Sequence, residues 1–248
     1  NPVLVDYLER GISQAEEENA VACIIQLDTP GGLDTSMRLI IQAMDRAQIP
    51  IVVYVPSGAR AASAGFFITI AADIAAMAPD TNIGAAHPVA IGTEGEAQMS
   101  ETMEAKIVND AVAYAKGIAK MHGRNVEWAE KAVRDAASVP AHEALELNVI
   151  DIVAPHLDSL ISQLDGRQVT MPDGSVVTMH TEGATINRIK MNTIEDFLYT
   201  IADPNIAYIL LSIAMLGIMA EIFSPGLIFP GLIGAICGLL AFYSLGML

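Results

Sequence analysis

Residues 22–32 read ACIIQLDTPGG, and residues 61–65 read AASAG. In the first stretch, residues 22–27 form a short apolar run suited to a strand buried on both faces. Asp28-Thr29-Pro30-Gly31-Gly32 breaks it. Residues 33–46 then read as a helix, with Met37, Ile40, Ile41 and Met44 at i, i+3, i+4 and i+7. Ile51–Val55 (IVVYV) is a second buried strand, 56–62 a loop of small residues, and 63–72 a buried helix. Residues 74–78 and 83–86 are short extended pieces. The order β-α-β-α-β, with crossovers long enough for parallel pairing, predicts an α/β fold. Upstream, residues 3–18 form an amphipathic helix with Val3, Leu4, Tyr7, Leu8 and Ile12 on one side. Downstream, residues 103–121, 126–133 and 140–147 read as helices and 149–153 as a strand. Residues 167–180 read as a hairpin around Pro172-Asp173-Gly174. Residues 87–105 have no apolar period and carry Glu94, Glu96, Glu101 and Glu104, which predicts a mobile acidic lid.

The chain has 248 residues, 13 Lys+Arg against 29 Asp+Glu, and a net charge of −16. Nucleic acid is therefore not an expected partner, since phosphate recognition needs a basic stripe. A mean hydropathy of +0.43 excludes disorder for most of the chain. All 13 basic residues lie at or before Lys190, with 25 acidic ones, a net of −12. Residues 204–248 hold one charge, Glu221. Residues 205–223, roughly 28 Å as a helix, and residues 229–248 flank Ser224-Pro225-Gly226 and read as a transmembrane hairpin. Glu221 is expected at the interface or against a neighbouring helix. No Lys or Arg flanks the hairpin closely, so charge gives it no orientation. Cys23 and Cys237 have neither disulfide-framework nor zinc spacing, and no metal or cofactor is expected. The chain begins with Asn and stops inside an apolar run, as expected of a fragment or processed product. Three regions are expected: 1–164 globular, 165–203 hairpin and connecting segment, and 204–248 transmembrane.

Two motifs carry chemistry. Gly31-Gly32 after a buried strand lets backbone N–H groups turn toward a substrate oxygen without a Cβ in the way, one half of an oxyanion hole. Its bland counterpart is an ordinary strand-to-helix turn. Ser63, among small residues at a helix start, is a candidate nucleophile with free N–H groups behind it. Its bland counterpart is a serine N-cap. Ser57, in a Pro/Gly loop with no helix behind it, is a poorer candidate. A serine hydroxyl needs a base. The candidates are His87, Lys106, Lys116, Lys120 and His122, of which the last three read as a solvated helix end. A lysine serves as base only where partial burial lowers its proton affinity.

A strand followed by DTPGG, then AASAG opening a helix, then IGAAHP, then KIVNDAVAYAKGIAKMHGRN resembles the NfeD family, membrane-bound relatives of the Clp protease and of signal peptide peptidase A. The resemblance covers the whole chain. It implies a ClpP/crotonase-like spiral of ββα units followed by a transmembrane helical hairpin. It also implies Ser63 as nucleophile, Lys106 as general base of a Ser–Lys dyad, and Gly32 and Ala64 as oxyanion N–H donors. The family's usual opening strand and the soluble C-terminal domain of its long members are not seen. His87-Pro88 resembles the Clp histidine context, one residue displaced, so His87 is the rival base. Arg134-Asp135 resembles the Clp aspartate context, so Asp135 is expected to orient either Lys106 or His87.

The expected function is a membrane-anchored serine endopeptidase acting on hydrophobic peptide or membrane-protein segments. The resemblance implies stomatin- or flotillin-like partners, at least a dimer, and a multi-pass protein with the protease domain outside the cytoplasm. A catalytically idle membrane scaffold for such partners is the alternative. A crotonase-type acyl-CoA enzyme is disfavoured by the net −12 of the front region, since a CoA surface needs basic residues.

Overall fold

A computed structural model describes residues 2–89, 101–171, 174–223 and 228–244. The elements through the middle of the chain are α1 (Pro2–Glu17), β1 (Cys23–Gln26), α2 (Asp34–Asp45), β2 (Ile51–Val55), β3 (Arg60–Ala62), α3 (Ala64–Ile70), β4 (Ile74–Met77) and β5 (Asn82–Gly84). They are followed by α4 (Glu101–Met121), α5 (Val126–Arg134), β6 (Ser138–Pro140), α6 (Ala141–Glu146), β7 (Ile152–Val153), α7 (Leu157–Leu164), β8 (Gln168–Thr170) and β9 (Val176–Thr178). The chain ends in α8 (Thr193–Ile201), α9 (Pro204–Phe223) and α10 (Ile228–Ser244). Residues Leu8–Asn187 form one compact unit; the chain through Tyr7 and from Arg188 onward forms another.

Two sheets shape the larger unit. The first runs β1-β2-β4-β7, all parallel, with Cys23 opposite Ile51, Val52 opposite Ile74 and Ala76 opposite Ile152. All five residues of β2 are buried, as the unalternating IVVYV predicts. The second runs β3-β5-β6, with β3 parallel and β6 antiparallel to β5. An isolated parallel bridge adds Thr29 beside Ala61. Each turn of the chain therefore gives one strand to the first sheet, a short extended piece to the second, and then a helix: β1–Thr29–α2, β2–β3–α3, β4–β5–α4. This is the ββα spiral that the sequence resemblance implied.

The loop expected over 56–62 thus contains a strand, β3, and β6 was not anticipated at all. Helix α7 and helix α8 were also unforeseen. The capping box of α8 is well formed: Asn192 Oδ1 accepts from the Ile194 and Glu195 N–H groups, both at 2.9 Å, while Glu195 Oε2 accepts from Asn192 N–H at 2.7 Å. The lid expected over 87–105 falls largely on residues 90–100, outside the described residues; Glu101 and Glu104 belong to α4, which begins before Met103. The hairpin over 167–180 is present as β8–β9, Val169 opposite Val177, with Pro172 and Asp173 outside the described residues. Its Val169, Met171 and Met179 join Val52, Tyr54 and Leu164 in one core cluster.

Arg124 ties three segments together while only 5% exposed. Its Nε donates to Ile70 O at 2.9 Å and Nη2 to Ala72 O at 2.8 Å, both at the end of α3. Its Nη1 reaches Val149 O at 3.3 Å and Asp151 Oδ2 at 2.9 Å. Asp151 Oδ2 also accepts from Ala75 N–H on β4 at 2.7 Å. The buried guanidinium is thus paired and hydrogen-bonded through all three of its nitrogens, as burial of a charge demands.

In the smaller unit, residues Asn205–Phe223 have a mean hydropathy of 2.2 and are long and apolar enough to cross a membrane; residues Phe229–Ser244 form a shorter apolar helix. The two helices run antiparallel along a seam of small residues. A Cβ on Gly217 would strike the Pro230 carbonyl and stand 2.9 Å from Gly234 Cα, and one on Gly234 would stand 2.9 Å from Ala214 O. The Glu221 carboxylate lies over Gly231, where a Cβ would collide with it. Such seams bring apolar helices into close van der Waals contact.

His122 corrects the reading of the α4 end as solvated, because its side chain is 14% exposed. Burial, then the neighbouring Arg124 charge, pushes its pKa down to about 4. The ring is therefore neutral at pH 7, and its 3.8 Å approach to Asp45 Oδ1 is not an ion pair. The unfolded imidazole binds a proton near 6.5 and the folded one near 4, so between those values the unfolded chain holds the extra proton. Stability from this group is full above pH 6.5 and falls as pH drops toward 4. The loss is roughly 2–3 kcal/mol. Asp45 and Asp73, both raised mainly by burial, work in the opposite sense at the acid end. Urea unfolding from pH 7 to 4 should show a shallower stability loss in His122→Leu than in the unaltered protein.

Candidate active site

Two backbone segments meet at the start of α3. Thr29 N–H donates to Arg60 O at 2.9 Å, and Ala62 N–H donates to Thr29 O at 3.1 Å, which fastens the loop after β1 to β3. Gly31 follows at φ +147°, a conformation that favours glycine. A Cβ on Gly31 would stand 3.0 Å from Ser63 Cβ and 3.2 Å from Ser63 Oγ. The Ser63 side chain thus lies directly against the Gly31 Cα. One on Gly32 would be 3.8 Å from Ala64 Cβ. Gly65 faces Thr29 more tightly, with Thr29 Cγ2 2.6 Å from where its Cβ would stand.

Ser63 has φ 54° and ψ −118°, outside the regions that L-residues occupy freely. The conformation is held from both sides: Ser63 N–H donates to Gly84 O and Phe66 N–H donates to Ser63 O, each at 3.0 Å. Although Ser63 precedes α3, its hydroxyl makes no capping hydrogen bond. The N-cap reading of this serine therefore does not hold. Ser57, the weaker candidate, is occupied: its Oγ donates to Asp80 Oδ2 at 2.8 Å. Among the described residues, neither Gly32 N–H nor Ala64 N–H has an acceptor, and both flank Ser63. Helix α3 spans only seven residues, so these individual N–H groups, rather than a long helix dipole, are what it offers.

Gly31, Gly32, Ser63 and Ala64 are thus brought together. The candidate bases are not joined to them by hydrogen bonds. Lys106 is exposed on the outer turns of α4 and has no hydrogen bond or ion pair with another described residue. His87 is half-buried, and its Nδ1 lies 3.0 Å from Val133 O. A carbonyl only accepts, so Nδ1 carries the proton, and a neutral ring would keep its lone pair on Nε2. Asp135 is the exposed C-cap of α5, where its N–H donates to Lys131 O; its carboxylate touches neither Lys106 nor His87. Lys116 is engaged with Glu130 at 2.6 Å. Cys23 is no rival nucleophile: burial, aided by Glu16, pushes its thiol up to about 11. Among the described residues no group of three His, Cys, Asp or Glu side chains is placed to hold a metal ion.

What holds α4 beside the site was not anticipated. Val108, Ala111, Val112, Ala115, Ile118 and Ala119 are buried, which accounts for that apolar stripe within the unit. Arg38, in the first turns of α2, donates to Asp34 at 2.9 Å and to Asp110 at 2.7 Å, and lies 4.2 Å over the Tyr114 ring. Tyr114 stacks on Phe67 of α3, centroids 6.0 Å apart. The helices that follow Gly32 and Ser63 and the helix bearing Lys106 thus share one cluster. An Arg–Asp pair 72 positions apart leaves no local signal in the sequence.

Fold and site together define a class: a spiral α/β domain with a strained serine beside two backbone N–H groups that have no acceptor among the described residues, joined to an integral-membrane tail. The chain belongs to the NfeD family. The NfeD1b N-terminal domain matches residues 1–159 and the NfeD integral membrane domain matches residues 205–248. It is 36% identical over 245 residues to the membrane-bound protease PH1510 of Pyrococcus horikoshii, covering 97% of this chain and 55% of that one. It is 31% identical over 248 residues to the membrane protein NfeD1b of Bacillus subtilis, covering 97% and 52%. The chain thus spans about half the length of these curated relatives. Among solved structures, it resembles the 1510-N membrane-bound stomatin-specific protease. A lysine-to-alanine mutant of that protease in complex with a substrate peptide matches with TM-score 0.73 and 33% identity, over 81% of this chain and 92% of that one. A serine-to-alanine mutant matches with TM-score 0.69 and 34% identity, over 77% and 93%.

Gly31→Ala should be damaging for two reasons: its φ is unsuited to a side chain, and its Cβ would press on Ser63. A loss of about 1–3 kcal/mol is expected in chemical denaturation. Gly166→Ala shares the positive φ but has nothing within 4 Å of the added methyl, so it should cost less.

Proposed function

We propose that the chain is the catalytic half of a membrane-anchored serine endopeptidase of Ser–Lys type. The observation that carries this reading is Ser63 itself: an uncapping serine at φ 54°, laid against a glycine Cα, beside Gly32 and Ala64 N–H groups that have no acceptor among the described residues. Strain of this kind persists where the surroundings enforce it, and active sites are where it concentrates. In this mechanism Ser63 Oγ attacks the scissile carbonyl carbon while Lys106 takes the hydroxyl proton. The Gly32 and Ala64 N–H groups stabilise the oxyanion, and the amine leaves with the proton from Lys106. Water then attacks the acyl-enzyme, with Lys106 again taking and returning a proton.

In the free chain Lys106 is exposed and makes no hydrogen bond to Ser63. Apo sites are often looser than their substrate complexes, so closure of the outer α4 turns over a bound peptide is the step that would desolvate the amine and complete the dyad. The exposure of Lys106 is also what the idle-scaffold reading would draw on. His87, tied to Val133 O, is assigned a role lining the cleft, and Asp135 one of orienting the base once the site closes. Small residues around Ser63 admit a peptide backbone, and Leu33 nearby is 44% exposed, which suits apolar substrates.

The 1510-N protease is described as specific for a stomatin homologue. A stomatin-like protein is accordingly the partner proposed here. Two membrane passes through α9 and α10, a protease domain outside the cytoplasm and at least a dimer complete the proposal. Leu39 and Ile107 are exposed apolar side chains that such an assembly could cover.

A fluorophosphonate probe tests the reading. The unaltered protein should be labelled at Ser63 and should cleave a stomatin-derived peptide. Ser63→Ala should lose both, with stability within about 0.5 kcal/mol because no cap is lost. Lys106→Ala should fall by roughly the same factor, about 10³ or more, since nucleophile and base act as a unit. His87→Ala should be milder. Near-normal turnover in Ser63→Ala sinks the protease; a dead His87→Ala beside an active Lys106→Ala moves the base to His87.

A further inference from the structure

One side chain at the site is unused by this mechanism. Thr29 Oγ1 accepts a hydrogen bond from Gly31 N–H at 3.0 Å and donates one to Gly31 O at 2.8 Å. The hydroxyl therefore grips the residue beside it but one by both polar groups. Thr29 in turn cannot drift. Its backbone is bonded to Arg60 and Ala62 on β3, and its methyl fills the space that Gly65 leaves open.

The grip on Gly31 O has a consequence one atom further on. Gly31 C=O and Gly32 N–H belong to one planar trans peptide and point in opposite directions. Holding the carbonyl toward Thr29 turns the Gly32 N–H away from Thr29, where it meets no acceptor among the described residues. Two consecutive glycines do little to fix that plane by themselves, because each tolerates φ of either sign. A flipped peptide would aim a carbonyl oxygen where the N–H now points, and would repel an oxyanion. We propose that Thr29 is the positioning residue of the oxyanion loop, its hydroxyl holding the Gly31–Gly32 peptide with the Gly32 N–H toward the substrate carbonyl. This rests on Ser63 as nucleophile.

Two substitutions separate the hydroxyl from the methyl. Thr29→Val keeps the shape against Gly65 and removes the hydroxyl; Thr29→Ser does the reverse. In the full chain in detergent, kcat and KM on a stomatin-derived peptide are measured, along with inhibition by a peptide boronate, which forms a tetrahedral anion on serine. Thr29→Val should lower kcat by about 10- to 100-fold with KM within about twofold, somewhat less than outright removal of an oxyanion donor. Boronate affinity should fall in parallel. Thr29→Ser should keep kcat near the unaltered value. Full kcat in Thr29→Val overturns the proposal, as do equal losses in both variants that follow their unfolding midpoints, since that pattern belongs to packing. Fluorophosphonate labelling of the unaltered protein separates the two levels. Absence of labelling at Ser63 removes the protease reading and the positioning role with it. Labelling together with an unimpaired Thr29→Val removes the positioning role alone.

Discussion

Ser63 can lie against the Cα of Gly31 only because nothing projects from that carbon, and much of the surrounding architecture maintains the approach. The second sheet brings Thr29, Ala62 and Gly84 into register, and Gly84 O holds the Ser63 amide. Gly84 is itself at φ +128°, where an added Cβ would collide with the Ala137 carbonyl. Gly65 lets α3 begin immediately beside Thr29. Small residues here are thus a steric requirement: each removes a Cβ from a place where two backbones pass.

The first sheet and its helices supply the rigidity that a strained serine needs. Arg124 links the end of α3 to the segment before β7, and through Asp151 to the start of β4. Removing Asp151, itself 30% exposed, would leave the buried Arg124 charge with backbone carbonyls as its remaining partners. The same helix α3 begins at Ser63 and ends under Arg124, so its position is fixed at both ends.

Long apolar segments were legible in the sequence because their periods are unambiguous. IVVYV could only be a buried strand, and Met37, Ile40, Ile41 and Met44 lie on the buried face of α2 as their spacing requires. The three-residue strands β3 and β6 are too short to show a period, and β6 ends in proline, whereas equally short β5 showed only as an extended piece at 83–86. Their identity is set by pairing across the chain, Asn82 with Pro140 for example. The glycines and the serine of the site stood out by residue type. Their close approach, the freedom of the Ser63 hydroxyl and the grip of Thr29 on Gly31 did not, because they depend on backbone angles that any Pro-Gly-Gly turn leaves open. His122 was misread for a different reason: the groups beside it, Asp45 and Asp151 among them, are distant in sequence, so a helix end that looks solvated is buried.

Helix α4 is anchored from Val108 onward and exposed before it. That division has an evolutionary corollary. Substitutions at exposed surface positions seldom change stability by more than about 0.5 kcal/mol. Apart from Lys106, the proposed base, exposed positions within residues 101–107 can therefore vary with little penalty to folding, while the buried stripe behind them stays constrained. A lineage could retune which peptides are received, or how tightly the outer turns close, by changes confined to those two turns of helix. Diversification of the receiving surface would then be decoupled from preservation of the core.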